Sequence, residues 1–201
     1  MTGEGGRGPV PPGFDTNPTS YRKRALLAVL AFIGLVVASY LTLYQWDAWP
    51  VWDPFFDATK VLDLTKPVPD ALAGVAAYGS ELLLLALGGR DRWQRLPWAC
   101  LALAAILSMG AVVSIALIIL QPTVAGGWCT LCLLSAAISL ALFFLGIDEG
   151  RAAWQHVRRE LARGTALGDA VWGRYRAADL ATARREAESP AGARERLGTR
   201  G

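Results

Sequence analysis

The sequence predicts an all-α integral membrane protein, a four-transmembrane-helix bundle with both termini in the cytoplasm. Three observations carry that expectation. The chain is 53% hydrophobic, and its charges are bunched between long uncharged runs. Four of those runs are near the length of about 20 apolar residues that crosses a bilayer as a helix. Lysine and arginine collect on alternate sides of the runs, as the positive-inside rule requires. The net charge is only +3, with the basic residues flanking the runs, which points to membrane orientation and not to nucleic-acid binding. There is no internal repeat of solenoid length.

Residues 1–20 are rich in Gly, Pro and Thr without apolar periodicity and read as a disordered tail. Tyr21-Arg22-Lys23-Arg24 then abuts the first span, about residues 25–44. A cleaved signal peptide would have a shorter apolar region and a small-x-small site, whereas this run continues through Tyr40 to Trp46. Gly34 and Ala38 form a small-xxx-small face for close helix packing. Residues 45–68 make the first hydrophilic connection. In it Trp46, Trp49, Trp52, Phe55 and Phe56 alternate with Asp47, Asp53, Asp57 and Asp63, a pattern suited to the membrane interface. Asp53-Pro54 matches an N-cap with Pro at N1 and predicts a short surface helix from Pro54 toward Leu62.

The second span covers about 70–87. Glu81 lies about 16 Å along it from Asp70, well inside the membrane, where carboxylates are costly. Two readings of Glu81 stay open: a structural acid hydrogen-bonded to a serine, or a proton relay. Arg90, Arg92 and Arg95 fill the next connection. The third span, about 96–120, offers Ser108, Gly110 and Ser114 as packing positions. An uncharged turn from Gln121 to Gly127 leads into the fourth span, 128–147. From Glu149 onward Arg alternates with Glu, and Trp154, Val157 and Leu161 fall at helical spacing. This predicts an amphipathic helix on the cytoplasmic membrane surface, interrupted at Gly164 and Gly168 and disordered after Pro190.

The basic N-terminal flank, second connection and C-terminal flank belong in the cytoplasm; the acidic first connection and uncharged third belong outside. That places Trp128-Cys129-Thr130-Leu131-Cys132 on the extracytoplasmic side, where disulfide chemistry is at home. Cysteines spaced i, i+3 share a helix face and can close a short disulfide. At a helix N-terminus the first should be the more acidic. The plainer alternative is two small apolar residues at a helix start. Cys100, near the cytoplasmic start of the third span, is about a membrane thickness from Cys129 and reads as a buried small hydrophobe. His156, the only histidine, lies on the far side of the membrane from the pair, so no metal site is expected.

Four spans with an extracytoplasmic Cys-x-x-Cys opening the fourth resemble the vitamin K epoxide reductase family of membrane quinone-linked thiol oxidoreductases. The likeness covers about Arg24 to Gly146, in the manner of a divergent bacterial-type homologue. Pro69-Asp70-Ala71-Leu72-Ala73-Gly74 with Tyr78 is similar to that family's second helix start. The family's first loop carries a cysteine followed six residues later by Ser or Thr; here those slots fall on Asp53 and Thr59. The resemblance implies that Cys132 faces a quinone and Cys129 is attacked during exchange. It further implies that Asp70 hydrogen-bonds a quinone carbonyl, with Tyr78 and Trp128 beside it, and that Thr59 supplies a loop hydroxyl. The implied quinone is ubiquinone or menaquinone, the partner an extracytoplasmic thioredoxin-like protein, and the location a bacterial plasma membrane.

The chain departs from the family pattern in three places. The first connection contains no cysteine, no thioredoxin-like domain follows the fourth span, and the position one turn after Cys132, often aromatic in the family, is Ala136. Two functions follow. One is a quinone-coupled thiol–disulfide oxidoreductase in which a partner dithiol meets Cys129 directly. The other is a non-catalytic membrane subunit or scaffold with a static disulfide. A transporter reading rests on Glu81 alone.

Overall fold

The computed structural model describes residues 11, 13–15, 17–65 and 70–174. Helix α1 runs Tyr21–Gln45, α2 Ala58–Leu62, α3 Ala71–Ala86, α4 Arg92–Arg95, α5 Pro97–Leu120, α6 Thr130–Ala162 and α7 Leu167–Trp172. Among the described residues there is no strand. Three helices, α1, α5 with the turn that follows it, and α6, are long and apolar enough to cross a membrane. The apolar α3 is shorter, at 16 residues.

These four helices pack around one core, with α5 on α6, α1 on α3 and on α6, and α3 on α5. Leu27 and Ala31 of α1, Tyr78 and Leu85 of α3, Leu103 and Leu107 of α5 and Leu142 of α6 meet there. Small residues set the approach. A Cβ at Gly34 would lie 2.5 Å from Tyr78 Cε1, and one at Gly74 would lie 3.2 Å from Ala38 Cβ. The Gly34/Ala38 face therefore packs on α3 as expected. On α5 the closest packing is elsewhere than expected: Gly146 and Gly150 of α6 receive Leu107 and Ala104, while Gly110 has open space where a Cβ would stand. Substituting Gly150→Val is accordingly expected to cost about 1–3 kcal/mol by forcing α5 and α6 apart, measurable by equilibrium unfolding in detergent.

At 1.5 Å per residue α3 is about 24 Å long, less than the hydrocarbon thickness of about 30 Å. Its last carbonyls would have no partner in lipid. Two buried arginines supply one. Arg24 donates to the carbonyls of Leu85, Leu87 (3.2 Å) and Gly88 (2.9 Å), and Arg92 to those of Leu84 (2.7 Å) and Leu87 (3.2 Å). Arg92 also makes a two-pronged ion pair with Glu149 of α6, both side chains buried. The sequence reading left both residues in polar flanks, because hydropathy does not show that two charges meet.

Five further expectations change. The helix of the fourth span does not stop near residue 147; α6 continues for 33 residues to Ala162, with no proline and with small residues at its contacts. Its extension packs inward through Ala152, Ala153 and Val157, while Trp154 and Leu161 are exposed, so the three residues expected on one face are divided between inside and outside. The helix ends before Gly164, which takes φ +89°, but Gly168 lies inside α7. The region after Pro190 lies outside the described residues.

In the N-terminal segment, Phe14 packs on the cluster of Trp93, Cys100, Ala152 and Ala153. Asn17 Nδ2 donates to the Arg90 carbonyl at 3.0 Å, and Thr19 donates to the same oxygen. The end of the expected disordered tail is thus docked by carbonyl capture at the connection after α3. Residues 1–10 lie outside the description. Finally, no helix starts at Pro54. Asp53 caps a turn, accepting from Phe55 and Phe56 N–H at 3.2 and 3.1 Å, and the helix starts later, at Ala58, behind Asp57.

Candidate functional site

Gly126, with φ +62°, ends the π-helical turn after α5, and the chain enters α6 through Cys129 as N-cap. Cys129 and Cys132 form a disulfide, with Cα atoms 5.2 Å apart. Cys129 Sγ accepts from Cys132 N–H at 3.1 Å, and Gln121 Oε1 accepts from Cys129 N–H at 3.1 Å. The two sulfurs have different surroundings. Cys129 is 0% exposed, packed with Leu41, Ala58 and Leu62. Cys132 is half-buried and lines a cavity of about 460 Å³.

That cavity lies among α1, α2, α3, α5 and α6, and its wall is mostly apolar. Asp70, Tyr78 and Glu81 line it from α3, Gln121 from the turn after α5, and Ser135, Ala136 and Ser139 from α6. The small Ala136 leaves room beside Cys132. Met109, Val113 and Leu117 of α5 line the cavity and are also exposed, so the flank of the molecule gives access to it.

The structure brings some predicted residues to the cavity and separates others. Asp70 accepts a hydrogen bond from the buried Gln45 Nε2, whose Oε1 accepts from Ala71 N–H at 3.2 Å. Tyr78 reaches the cavity with its ring, while its hydroxyl is taken up by α6: it donates to the Ser135 carbonyl at 2.9 Å and meets Ser139 Oγ at 2.8 Å. Glu81 is buried, and its Oε2 has no hydrogen-bond partner, so of the two readings left open the serine-bonded one is not seen. Trp128, Asp53 and Thr59 do not line the cavity. Thr59 donates to Asp57 within the α2 cap. Cys100 is a free, buried cysteine, as expected. Sequence reasoning missed Gln45 and Gln121; the one available signal was their place at the end of an apolar run.

Asp53 holds the loop onto the pair's helix. Its Oδ2 accepts from Thr130 N–H at 2.8 Å, the residue after Cys129. Partial burial raises its pKa, but hydrogen bonds from Thr130, Phe56 and Phe55 outweigh that and hold the carboxyl below its usual range. A depressed folded pKa gives a contribution that is complete above the unfolded value and is lost as pH falls through the folded one. The loop should therefore stay latched below the pH at which ordinary carboxylates titrate. Asp53→Ala is expected to speed reduction of the Cys129–Cys132 disulfide by a water-soluble phosphine about fivefold at neutral pH, the worth of a typical N-cap. The wild-type rate should rise toward the variant's only in acid.

A family model described as the vitamin K epoxide reductase family matches residues 25–147. The chain belongs to that family. No curated protein and no solved structure matches it. Vitamin K epoxide reductase family members are oxidoreductases of membrane thiol–disulfide and quinone chemistry, and the matched stretch contains all but the first turn of α1, α3, α5, the disulfide and the cavity-lining part of α6. With three long apolar helices, this family member is an integral membrane protein.

Proposed function

We propose that the protein is a membrane quinone-coupled thiol–disulfide oxidoreductase whose Cys129–Cys132 pair passes electrons from an extracytoplasmic dithiol protein to a quinone in the cavity. One observation carries this reading: Cys132, one half of a disulfide, lines a mostly apolar cavity reachable from the flank of a membrane protein. Reduction of the pair by a partner dithiol gives two thiols and a partner disulfide. Reoxidation releases two electrons and two protons, which convert a quinone to its hydroquinone. Cys132 faces the quinone; Asp70, positioned by Gln45, is the carboxyl placed to hydrogen-bond a carbonyl oxygen and pass a proton. Tyr78 contributes ring surface, while Trp128, outside the cavity, has no part in this reading. The partner is a thioredoxin-like protein, the quinone ubiquinone or menaquinone, and the setting a bacterial plasma membrane. In this reading residues 21–148 form a four-span membrane unit in which α3 is the second span. Both termini are cytoplasmic and the pair is outside, as the distribution of basic residues directs.

The burial of Cys129 favours a second reading, a membrane subunit with a static disulfide, because a partner thiolate has no open line to that sulfur. Trapping the thiols by alkylation in membranes, with the quinone pool first oxidised and then reduced, separates the two. A pair whose redox state follows the pool supports the oxidoreductase. One that stays oxidised throughout leaves the subunit.

A further inference from the structure

Glu81 is the one carboxyl among the described lining residues of the cavity that neither the fold nor the electron path uses. Its side chain is only 3% exposed, it lines the cavity, and its Oε2 is buried without a hydrogen-bond partner. Among the described residues no lysine or arginine lines the cavity with it. Asp70 is about 16 Å away along α3, at 1.5 Å per residue, so one quinone ring at Asp70 does not also occupy the Glu81 end. On α5, Ser114 is buried and lines the same cavity, as does Gly110, one turn earlier, with nothing within 4 Å of a would-be Cβ. The Glu81 end of the cavity, its inner end, therefore holds an unpaired acid, in a mostly apolar wall that also carries a hydroxyl and open space on α5.

We infer that this inner end is a binding subsite for the amine head of a membrane-soluble amphiphile. A buried carboxyl without a partner is costly, and a cation that pairs with it removes the cost. The complex carries no net charge: an amine that enters from the bilayer as its free base and takes up the carboxyl's proton gives an ammonium–carboxylate pair as neutral as the two separate molecules. An alcohol of the same chain length lacks that pairing. A fatty acid would place a second acid against the first. Competition between such an amine and quinone rests on the proposed function, but binding of the amine does not.

The test uses the full chain in nanodiscs of neutral lipid, without any redox partner. Thermal unfolding is followed by the labelling of Cys100 with a thiol-reactive fluorophore, since that cysteine is free and buried. Dodecylamine is expected to raise the transition saturably, and dodecanol to give no saturable shift. Glu81→Gln should weaken the apparent affinity for the amine at least tenfold. Gly110→Leu, which fills the space without touching the carboxyl, should abolish the shift and serves where Glu81→Gln does not fold. Equal shifts by amine and alcohol, or an amine shift that survives both substitutions, would overturn the subsite. A pair that ignores the quinone pool alongside a normal amine shift would sink the oxidoreductase reading and leave the subsite standing.

Discussion

Arg92→Leu is expected to destabilise the protein by about 3–5 kcal/mol, because it leaves Glu149 buried without its partner. The loss has two sources. Glu149, 2% exposed, would keep its desolvation cost without the Arg92 guanidinium, and the carbonyls of Leu84 and Leu87 at the end of α3 would lose donors. Equilibrium unfolding in detergent, followed by tryptophan fluorescence, measures the change. The double variant Arg92→Leu, Glu149→Leu separates the sources. Replacing both charges by apolar groups removes the stranded carboxylate, so the double variant should be more stable than the single one. If it is no more stable, the pair is not coupled and the carbonyl capping accounts for the whole effect.

Cys132→Ala should lower dithiol-dependent quinone reduction at least about a thousandfold, as loss of a covalent catalytic group commonly does. The variant has a second, more specific consequence. With Cys132 absent, Cys129 is a lone thiol; it attacks the disulfide of a single-cysteine partner protein capped with an aryl thiol, the aryl thiolate leaves, and the mixed disulfide meets no resolving thiol, so the adduct should accumulate and be visible as a reductant-sensitive shift on a denaturing gel. Cys129→Ala leaves the thiol that faces the cavity and should be as inactive without collecting the same adduct. Because Cys129 is sealed by Leu41, Ala58 and Leu62, the adduct should form faster when Asp53→Ala is added. A static disulfide predicts no adduct in either background. Unchanged quinone reduction in both cysteine variants would end the oxidoreductase reading.

The parts of this protein that depend on neighbouring residues in the chain were legible from the sequence. Apolar runs placed α1, α3, α5 and the first half of α6 to within a few residues, since hydropathy is a local property. The Cys-x-x-Cys spacing placed a pair at the start of a helix, where the disulfide stands, because residues three apart share a face in any helix. Gly126 marked the turn before it. What the sequence did not show depends on which faces meet. That Arg92 lies against Glu149 and ends α3, that Asp53 reaches across to Thr130, and that α2 closes over Cys129 are contacts between segments 57 or more positions apart. Charges in a flank look solvated until two helices bury them together. The sequence alone determined the membrane helices and the chemistry of their cysteine pair; tertiary packing decided which sulfur faces the cavity and which is covered, because exposure belongs to the assembled surface and not to any one residue.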